Sequence, residues 1–366
     1  MPRAAVMYAP NTPFQIVDID VAAPRAGEAL VRVAASGVCH SNLHFMHGNI
    51  PAPFPIIFGE EGIGVVEAVG PGVTSVEPGD HVIMLFRAHC GSCFYCVRGR
   101  PTLCDFGAPI RSTGRLVDGT SRFRQGDQEI FHLAGVSSFS EYSVVPEQGL
   151  LKIRRDVPLD VAVLIACSVT SGAGPMLFGA PVEAGSSVLV IGAGGVGLNA
   201  VQGALLAAAN PIIVADVVPA KLELARQLGA THTIDARTED VVSIARSLTD
   251  GRGVDYALEV IGRTETMQTA FDATRKGGTI LVIGLCGPDV RWPISPLALV
   301  TQEKTVRGIT YGAVNIRKDV PTLIDLYLAG RLKLDELISR RFRLDEINEA
   351  FAMLERGEMA RGVIVY

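Results

Sequence analysis

The chain has 366 residues, 48% of them hydrophobic and 19% charged, and a formal net charge of −5 at pH 7. This length allows two domains with a well-buried core, and the composition excludes a disordered or fibrous protein. The acidic balance, without any cluster of lysine and arginine, argues against nucleic acid as a partner.

The first eight residues, Met1–Tyr8, lack the basic and long apolar segments of a signal peptide. The most apolar stretch, Val188–Val218, is interrupted by polar residues such as Asn199 and Asp216, so no membrane span is predicted. We therefore expect a cytoplasmic protein. In that reducing compartment, seven cysteines favour metal binding over disulfides.

Residues 1 to about 155 contain short β segments separated by turns of glycine, proline and aspartate, such as the turn at 78–80. Frequent turns between short strands are typical of an antiparallel barrel or sandwich. The predicted strands are Ala29–Val38, Gly62–Val69 and His81–Phe86.

From Ser187 the pattern changes to alternating strands and helices, which predicts a doubly wound parallel sheet. The six strands expected in it are Val188–Ile191, Ile212–Ala215, His232–Asp235, Asp255–Val260, Thr279–Gly284 and Thr305–Ile309. The expected helices run from the glycine-rich turn through Ala209, from Pro219 to Gly229, and over Asp240–Leu248, Glu265–Thr274, Val320–Ala329 and Leu344–Leu354. A last strand is expected at Gly362–Tyr366, so the alternating domain is predicted to lie between two pieces of the first domain.

The segment Gly192-Ala-Gly194-Gly195-Val196-Gly197 matches G-x-G-x-x-G between a predicted strand and a predicted helix. Its glycines let the backbone approach a pyrophosphate, whose charge the helix N-terminus stabilises. Asp216 ends the next strand, where its carboxylate can accept a hydrogen bond from a ribose 2′-hydroxyl and would repel a 2′-phosphate. The sequence therefore predicts NAD rather than NADP, with an ordinary tight turn as the alternative.

Four cysteines, Cys90, Cys93, Cys96 and Cys104, are crowded into one short segment. Four thiolates suit a tetrahedral structural zinc ion, and the glycines and proline between them suit a loop wrapped around one ion. The alternatives are unrelated thiols and a redox Cys-x-x-Cys pair. Three regularly spaced cysteines and a fourth favour the metal.

A third motif is Gly-Val-Cys-His-Ser-Asn-Leu-His at 37–44. Together with the Gly-rich turn near 190 and the cysteine lobe, it resembles the zinc-dependent alcohol dehydrogenases of the medium-chain dehydrogenase/reductase superfamily. Residues 118–123 and 139–145 resemble the long-loop, dimeric branch that includes formaldehyde dehydrogenases. The resemblance implies a GroES-like, mostly-β catalytic domain (1–168 and 311–366, with the zinc lobe at 90–104). It also implies an inserted Rossmann domain (169–310) with a doubly wound, parallel, six-stranded sheet, and a homodimer.

The resemblance also implies catalytic roles. Cys39 and Cys167 fall at two positions that ligate the catalytic zinc. Ser41 falls where a hydroxyl accepts the proton of the substrate alcohol, and His44 where an imidazole passes that proton outward through the cofactor ribose.

Other positions are implied to contact the cofactor or the substrate. Those near the cofactor are His40 at the pyrophosphate, Lys221 at the adenosine ribose, and Ser171 and Val196 at the nicotinamide. Those that would wall the substrate pocket are Phe86, Leu116 and Leu133.

Two positions depart from the family pattern. The family expects Gly-His-Glu after an apolar run, whereas this chain has Glu60 in place of the histidine, followed by Glu61. Asn42 stands where the family has an aspartate that accepts a hydrogen bond from that histidine. The changes fit together, because an amide can donate to Glu60 whereas an aspartate would repel it. We expect Glu60 as the third zinc ligand, with Glu61 available as a fourth; a metal-free pocket is the alternative.

The sequence therefore predicts an NAD-dependent enzyme that interconverts small-molecule alcohols and aldehydes or ketones by zinc-assisted hydride transfer in the cleft between its domains. Three anionic ligands would weaken zinc as a Lewis acid, so activity is expected to be shifted in pH. One alternative is a reductase of conjugated C=C or iminium groups with a weakened or absent catalytic zinc. Another is a non-catalytic nucleotide-binding relative, which Ser41, His44 and Asp216 disfavour.

Overall fold

Nineteen strands and eleven α-helices are present in the computed structural model, which describes residues 1–366. The strands are β1 (Arg3–Met7), β2 (Gln15–Asp18), β3 (Asp20–Val21), β4 (Glu28–Val38), β5 (Ile56–Ile57), β6 (Glu61–Val69), β7 (His81–Leu85), β8 (Phe123–Gln125), β9 (Gln128–His132), β10 (Tyr142–Pro146), β11 (Leu150–Ile153), β12 (Val188–Ile191), β13 (Ile212–Asp216), β14 (His232–Asp235), β15 (Val254–Glu259), β16 (Thr274–Val282), β17 (Thr305–Gly308), β18 (Ile338–Phe342) and β19 (Arg361–Val365). The helices are α1 (His40–Met46), α2 (Gly107–Thr113), α3 (Leu159–Ala162), α4 (Ser168–Gly174), α5 (Gly195–Leu206), α6 (Pro219–Gln227), α7 (Val241–Ser247), α8 (Thr264–Ala273), α9 (Pro296–Thr301), α10 (Ile316–Leu328) and α11 (Ile347–Glu355).

The chain folds into two units. One comprises Met1–Cys167, Asn315–Ala329 and Leu334–Tyr366, and the other comprises Ser168–Val314 and Gly330–Lys333. The sequence placed the second boundary at 310/311, but a Cβ on Gly312 would overlap the Thr170 carbonyl oxygen, so this turn packs on the second unit. No single helix is long and apolar enough to cross a membrane, although one bent pair, 159–166 with 168–179, has the length and composition to do so.

The first unit holds two sheets. One has the strand order β2-β1-β5-β9-β8-β3, and the other has the order β11-β7-β6-β4-β19-β18, with β10 also paired to β4. Pairing is antiparallel except between β5 and β9 and between β18 and β19. The strands predicted at 29–38, 62–69 and 81–86 are confirmed as β4, β6 and β7.

The second unit is built on a parallel sheet. Its six strands follow the order β14-β13-β12-β15-β16-β17, and every pairing is parallel. The order reverses direction at β12, which is the doubly wound arrangement, so the predicted Rossmann sheet is confirmed. Its fifth strand, β16, begins at Thr274 rather than at the predicted Thr279, because a register shift lets β15 and β16 pair further back.

Three adjacent strands of the first unit bring one group of residues together. β4 runs antiparallel to both β6 and β19, so the end of β4 lies beside the starts of its two neighbours. Val38, the last residue of β4, pairs with Gly362. Cys39, Glu61 and Arg361 therefore meet at one edge of the sheet.

Candidate active site

Two thiols and one carboxylate form a buried cluster at this edge. One ligand atom from each of Cys39, Glu61 and Cys167 lies within 4.8 Å of the other two. Hydrogen bonding to the Cys167 thiol, and then burial, raise the pKa of Cys39 well above its usual value. Glu61 Oε1 is buried without a hydrogen-bond partner. Two sulfur donors and a free carboxylate oxygen are ligands that zinc accepts, so these residues fit a zinc ion.

The other oxygen of Glu61 pairs with an arginine that sequence reasoning missed. Arg361 Nη2 donates to Glu61 Oε2, and the two side chains are 5% and 0% exposed. A Cβ on Gly37 would overlap Glu61 Oε2, so the pair requires glycine there. Burial acts to lower the pKa of Arg361, but the charges of Glu61, Cys39 and Cys167 together outweigh it and the pKa is raised. The signal in the sequence is a lone arginine at the start of an otherwise apolar strand.

Glu60, the predicted third ligand, lies outside this cluster. Its Oε2 accepts a hydrogen bond from Asn42 Nδ2 at 2.6 Å, and its Oε1 accepts one from Ser41 Oγ. The predicted hydrogen bond between Asn42 and Glu60 is confirmed. Glu61, the first residue of β6, is the carboxylate that lies beside the two thiols, and Glu60 sits in the bend before that strand.

Ser41 connects Glu60 with the thiol cluster. Besides donating to Glu60, its hydroxyl oxygen lies 3.1 Å from Cys39 Sγ. A hydroxyl has one proton and two lone pairs, so once the proton is directed to the carboxylate the oxygen can only accept from a further partner.

His44 lies on α1, three residues after Ser41 and on the same side of the helix. Burial, and then the neighbouring His47, lower the pKa of His44, which favours a neutral imidazole. His40 begins the same helix, and its ring centroid lies 6.0 Å from that of His44.

The four cysteines of the predicted zinc lobe converge. Their sulfur atoms all lie within 4.8 Å of one another, with Cys104 3.6 Å from Cys90 and 3.7 Å from Cys93. Zn–S bonds of about 2.3 Å in a tetrahedron place sulfur atoms about 3.8 Å apart, so this lobe fits one zinc ion. The Ser92 backbone N–H lowers the pKa of Cys90 to about 6, and the Cys96 backbone N–H lowers that of Cys93, whereas burial raises the pKa of Cys96 to about 12.

The glycine turn between β12 and α5 has the geometry of a pyrophosphate site. Gly192 has φ +105°, a Cβ on Gly197 would overlap the Gly192 carbonyl oxygen, and a Cβ on Gly194 would meet nothing within 4 Å. These glycines thus provide the tight turn, the close approach of helix to strand and the open path for a ligand that dinucleotide-binding turns require. The residues present fit a dinucleotide.

Asp216 ends β13 beside this turn. Its Oδ2 accepts the Ala193 N–H at 2.6 Å, and its Oδ1 accepts the Val218 N–H at 2.9 Å. The carboxylate is therefore fixed by the backbone, and each oxygen keeps a lone pair for the hydroxyls of a ribose.

Apart from His40 on α1, the other residues predicted at the cofactor lie on helices of the second unit. A Cβ on Gly172 would overlap the Val196 carbonyl oxygen, so α4, which carries Ser171, packs directly on the start of α5. Gly195 is the first residue of α5, and Lys221 lies in the first turn of α6.

The three predicted pocket walls belong to the first unit. Leu116 and Leu133 are buried, and Phe86 is half-buried. A Cβ on Gly135 would lie 3.7 Å from Leu116 Cδ2, so Leu116 packs against the turn that follows Leu133.

A doubly wound sheet with this glycine turn, in a chain with two thiol clusters suited to metal, defines a nucleotide-dependent dehydrogenase of the metal-binding kind. Residues 25–155 match the family model of the alcohol dehydrogenase GroES-like domain, and residues 195–329 match that of the zinc-binding dehydrogenases. The chain belongs to the zinc-dependent alcohol dehydrogenases of the medium-chain superfamily and is an oxidoreductase, as its motifs predicted.

Individual relatives extend this result over the whole chain. The NDMA-dependent alcohol dehydrogenase of Amycolatopsis methanolica is 40% identical, with 100% of this chain and 98% of the relative aligned. The S-(hydroxymethyl)glutathione dehydrogenase of Synechocystis sp. is also 40% identical, with 100% and 99% aligned. The crystal structure of benzyl alcohol dehydrogenase from Acinetobacter calcoaceticus matches with a TM-score of 0.94 at 32% identity, covering 100% of this chain and 99% of that one.

Proposed function

We propose that this enzyme interconverts small-molecule alcohols and aldehydes or ketones, with NAD as the hydride carrier and a catalytic zinc held by Cys39, Cys167 and a carboxylate in place of the usual histidine. The observation that carries the proposal is the pair of buried thiols beside the unpartnered Glu61 Oε1. Similarity to alcohol, benzyl alcohol and S-(hydroxymethyl)glutathione dehydrogenases supports the same reaction class.

Zinc held by Cys39, Cys167 and Glu61 would supply a Lewis acid for the substrate oxygen, and NAD would supply the hydride acceptor. Ser41 Oγ donates a hydrogen bond to Glu60, so towards the substrate hydroxyl it acts as the acceptor. Asn42 holds Glu60 in the orientation that directs the Ser41 proton in this way. When Ser41 takes the proton of the substrate hydroxyl it must release its own, and the Glu60 carboxylate that accepts its hydrogen bond would receive it. His44, a neutral imidazole on the same side of α1, would then pass a proton to solvent.

The second unit would bind NAD through the glycine turn and Asp216. The open side of Gly194 leaves room for the pyrophosphate, and the fixed Asp216 carboxylate would accept from the adenosine ribose and repel a 2′-phosphate. Residues assigned to the rest of the cofactor are His40, Ser171, Gly195, Val196 and Lys221. The change in NADH fluorescence on mixing with the protein measures this binding. A fluorescence that does not change on mixing would contradict the proposal.

Zinc content tests the two metal sites. We expect two zinc ions per chain in the wild type: a structural one at Cys90, Cys93, Cys96 and Cys104, and the catalytic one. Cys39→Ser should lose the catalytic ion. Glu61→Gln should lose it too, whereas the matched variant Glu60→Gln should keep it. One zinc per chain in the wild type, retained in Cys39→Ser, would overturn the catalytic zinc.

If Glu60→Gln loses the catalytic zinc and Glu61→Gln keeps it, then Glu60 is the zinc ligand, as the sequence predicts. Glu60→His completes the series, because an imidazole restores the family ligand. The rate of alcohol oxidation is measured for each variant together with its zinc content. A variant that keeps its zinc but loses activity has lost the orientation of the Ser41 hydroxyl and not the metal.

A reductase of conjugated C=C or iminium groups without a catalytic zinc is the second candidate, and one observation favours it. Glu61 is paired with Arg361, and both oxygens of Glu60 accept hydrogen bonds, so the carboxylates have partners within the protein. Activity that survives a mild chelator, with no oxidation of simple alcohols, would select this candidate.

We also propose a homodimer that acts in the cytoplasm. β17 is an edge strand of the Rossmann sheet, and apolar side chains are exposed in the segment before it, namely Leu285, Val290, Leu297 and Val300. All seven cysteines are free thiols, which suits a reducing compartment. Light scattering should give twice the mass of the chain for the wild type and the mass of one chain for Leu297→Asp.

A further inference from the structure

Helix α1 and the residue that follows it carry a column of polar side chains that runs from the candidate active site to solvent. Ser41, His44 and His47 follow one another at intervals of three residues, which places each beside the next on the helix surface. Ser41 and His44 are half-buried, whereas the His47 side chain is 42% exposed. The column therefore passes from the thiol cluster, which Ser41 contacts through Cys39, to the surface of the first unit.

The outer end of this column meets an acidic residue of another helix. His47 Nε2 lies 2.8 Å from Oε1 of Glu355, the last residue of α11. The two helices are held side by side by an apolar cluster that contains Leu43 of α1 and Phe351 of α11. The Glu355 side chain is 45% exposed, so both members of the pair reach solvent.

Stability does not account for this pair. An ion pair between two exposed side chains gains little, because water screens the charges and both side chains lose conformational freedom. The chain has seven histidines, and three of them, His40, His44 and His47, lie on this one short helix or directly after it. Histidine is the side chain that gains and loses a proton near neutral pH. The composition of this segment is therefore suited to the movement of protons.

The contact with Glu355 fixes which nitrogen of His47 can take up a proton. A carboxylate only accepts hydrogen bonds, so in the neutral ring Nε2 carries the proton that points to Glu355, and Nδ1 is the acceptor. The Cβ atoms of residues three apart on a helix are separated by about 5–6 Å, a gap that two imidazole rings bridge directly or through one water molecule. The two rings interact, because burial, and then the charge of His47, lower the pKa of His44.

We propose that His47 takes up the proton released at His44 and passes it to solvent beside Glu355, so that the proton relay of this enzyme has an additional outer step. In each turnover one proton leaves the His44 ring and binds to His47 Nδ1, and the proton already on His47 Nε2 departs to the Glu355 carboxylate and then to water or a buffer base. No electrons move in this step, and the exposed ring regains its first tautomer by exchange with water. The inference rests on the proposed alcohol oxidation and adds a residue to the same relay.

The test times proton release against hydride transfer in a single turnover of the zinc-loaded enzyme with NAD and benzyl alcohol. A pH indicator in dilute buffer reports the proton, and the absorbance of NADH reports the hydride. In the wild type we expect the two rates to agree. In His47→Gln proton release should lag behind hydride transfer by about tenfold or more, and added imidazole should remove the lag, because a free base can replace the missing side chain. Glu355→Gln should give a smaller lag.

The matched control is His232→Gln, which removes an exposed histidine on β14 of the second unit and should keep the two rates equal. A purely structural role of His47 would lower both rates together in His47→Gln, without any response to imidazole. That result, or equal rates of proton release and hydride transfer in His47→Gln, would overturn the inference while leaving alcohol oxidation intact.

A measurement without turnover separates this inference from the proposed function. NMR of isotope-labelled histidine rings reports the protonation of His44 and His47 directly. The titratable groups next to His47 are His44 on its own helix and Glu355 on α11. We expect the pKa of His44 to rise in His47→Gln, because a neighbouring positive charge has been removed. An unchanged pKa would show that the two rings do not interact and would overturn the inference. If the wild type forms no NADH, the proposed function fails, and this titration still decides whether the two rings are coupled.

Discussion

Asn42 Nδ2 lies 2.6 Å from Glu60 Oε2, and these are the two positions at which the chain departs from its family pattern. Both residues are buried. An amide donates where the family's aspartate would accept, and a carboxylate accepts where the family's histidine would donate. The hydrogen bond is therefore retained with its direction reversed.

Asn42→Asp tests this coupling. It should lower the free energy of unfolding by about 1–3 kcal/mol, because a buried hydrogen bond to Glu60 is replaced by repulsion between carboxylates. Urea unfolding measures the change. Adding Glu60→His restores a donor and should recover most of the loss, whereas equal losses in the single and double variants would contradict coupling.

The ion pair between Glu61 and Arg361 should dominate local stability. Arg361→Met leaves a buried carboxylate without its counter-charge and should cost about 3–5 kcal/mol in urea unfolding. The double variant Glu61→Gln with Arg361→Met should be more stable than Arg361→Met alone. The control Arg340→Met removes a partly exposed arginine of the adjacent strand and should cost about 0–1 kcal/mol.

Cys104→Ser should remove the structural zinc. Its sulfur lies 3.6 Å from Cys90, so a serine at this position leaves three thiolates for the ion. We expect one zinc fewer per chain and a melting temperature lower by several degrees, because metal binding contributes directly to folding. Cys286→Ser, at a lone thiol outside both clusters, should keep full zinc content. An unchanged zinc count in Cys104→Ser would refute the lobe site.

Asp216→Asn should relax cofactor preference. Its carboxylate is fixed by the Ala193 and Val218 N–H groups, and the neutral amide no longer repels a 2′-phosphate. The ratio of kcat/KM for NAD over NADP should fall by about tenfold or more. A variant with an unchanged ratio would show that discrimination comes from elsewhere in the second unit.

His132 makes stability depend on pH. It is buried against Phe123, with ring centroids 4.3 Å apart, and burial lowers its pKa to about 3, against about 6.5 in an unfolded chain. Because the folded-state pKa is the lower one, its contribution is complete above about pH 6.5 and is lost as the pH falls towards 3. Urea unfolding should show a loss of about 2 kcal/mol between pH 7 and pH 5. His132→Gln should remove most of that loss, and an unchanged slope would contradict the assignment.

Features that depend on neighbouring residues could be predicted from the sequence. The Rossmann strands alternate with helices along the chain, and the cysteine lobe closes within one loop, so local patterns are sufficient for both. The hydrogen bond from Asn42 to Glu60 could also be predicted from the sequence. The resemblance places the two residues side by side, and an amide donor can then pair with a carboxylate acceptor.

Features that depend on distant packing could not be predicted. Helix α4, Ser168–Gly174, contains two glycines and is buried on all sides, so it shows no amphipathic pattern. Helix α10 begins at Ile316, before the predicted Val320, because Asp319 accepts the Asn315 N–H and fixes the first turn. The choice of Glu61 over Glu60 at the thiols depends on Arg361, which the chain reaches only in its last strand.

The ion pair between Glu61 and Arg361 joins residues 300 positions apart. The carboxylate at the thiol cluster therefore has no counter-charge until the final strand, β19, has been synthesised and has docked against β4. In a chain that stops before Arg361, burying Glu61 requires either an unpaired carboxylate or the uptake of a proton, and both oppose closure of this edge of the sheet. Assembly of the candidate active site is thus linked to completion of the polypeptide.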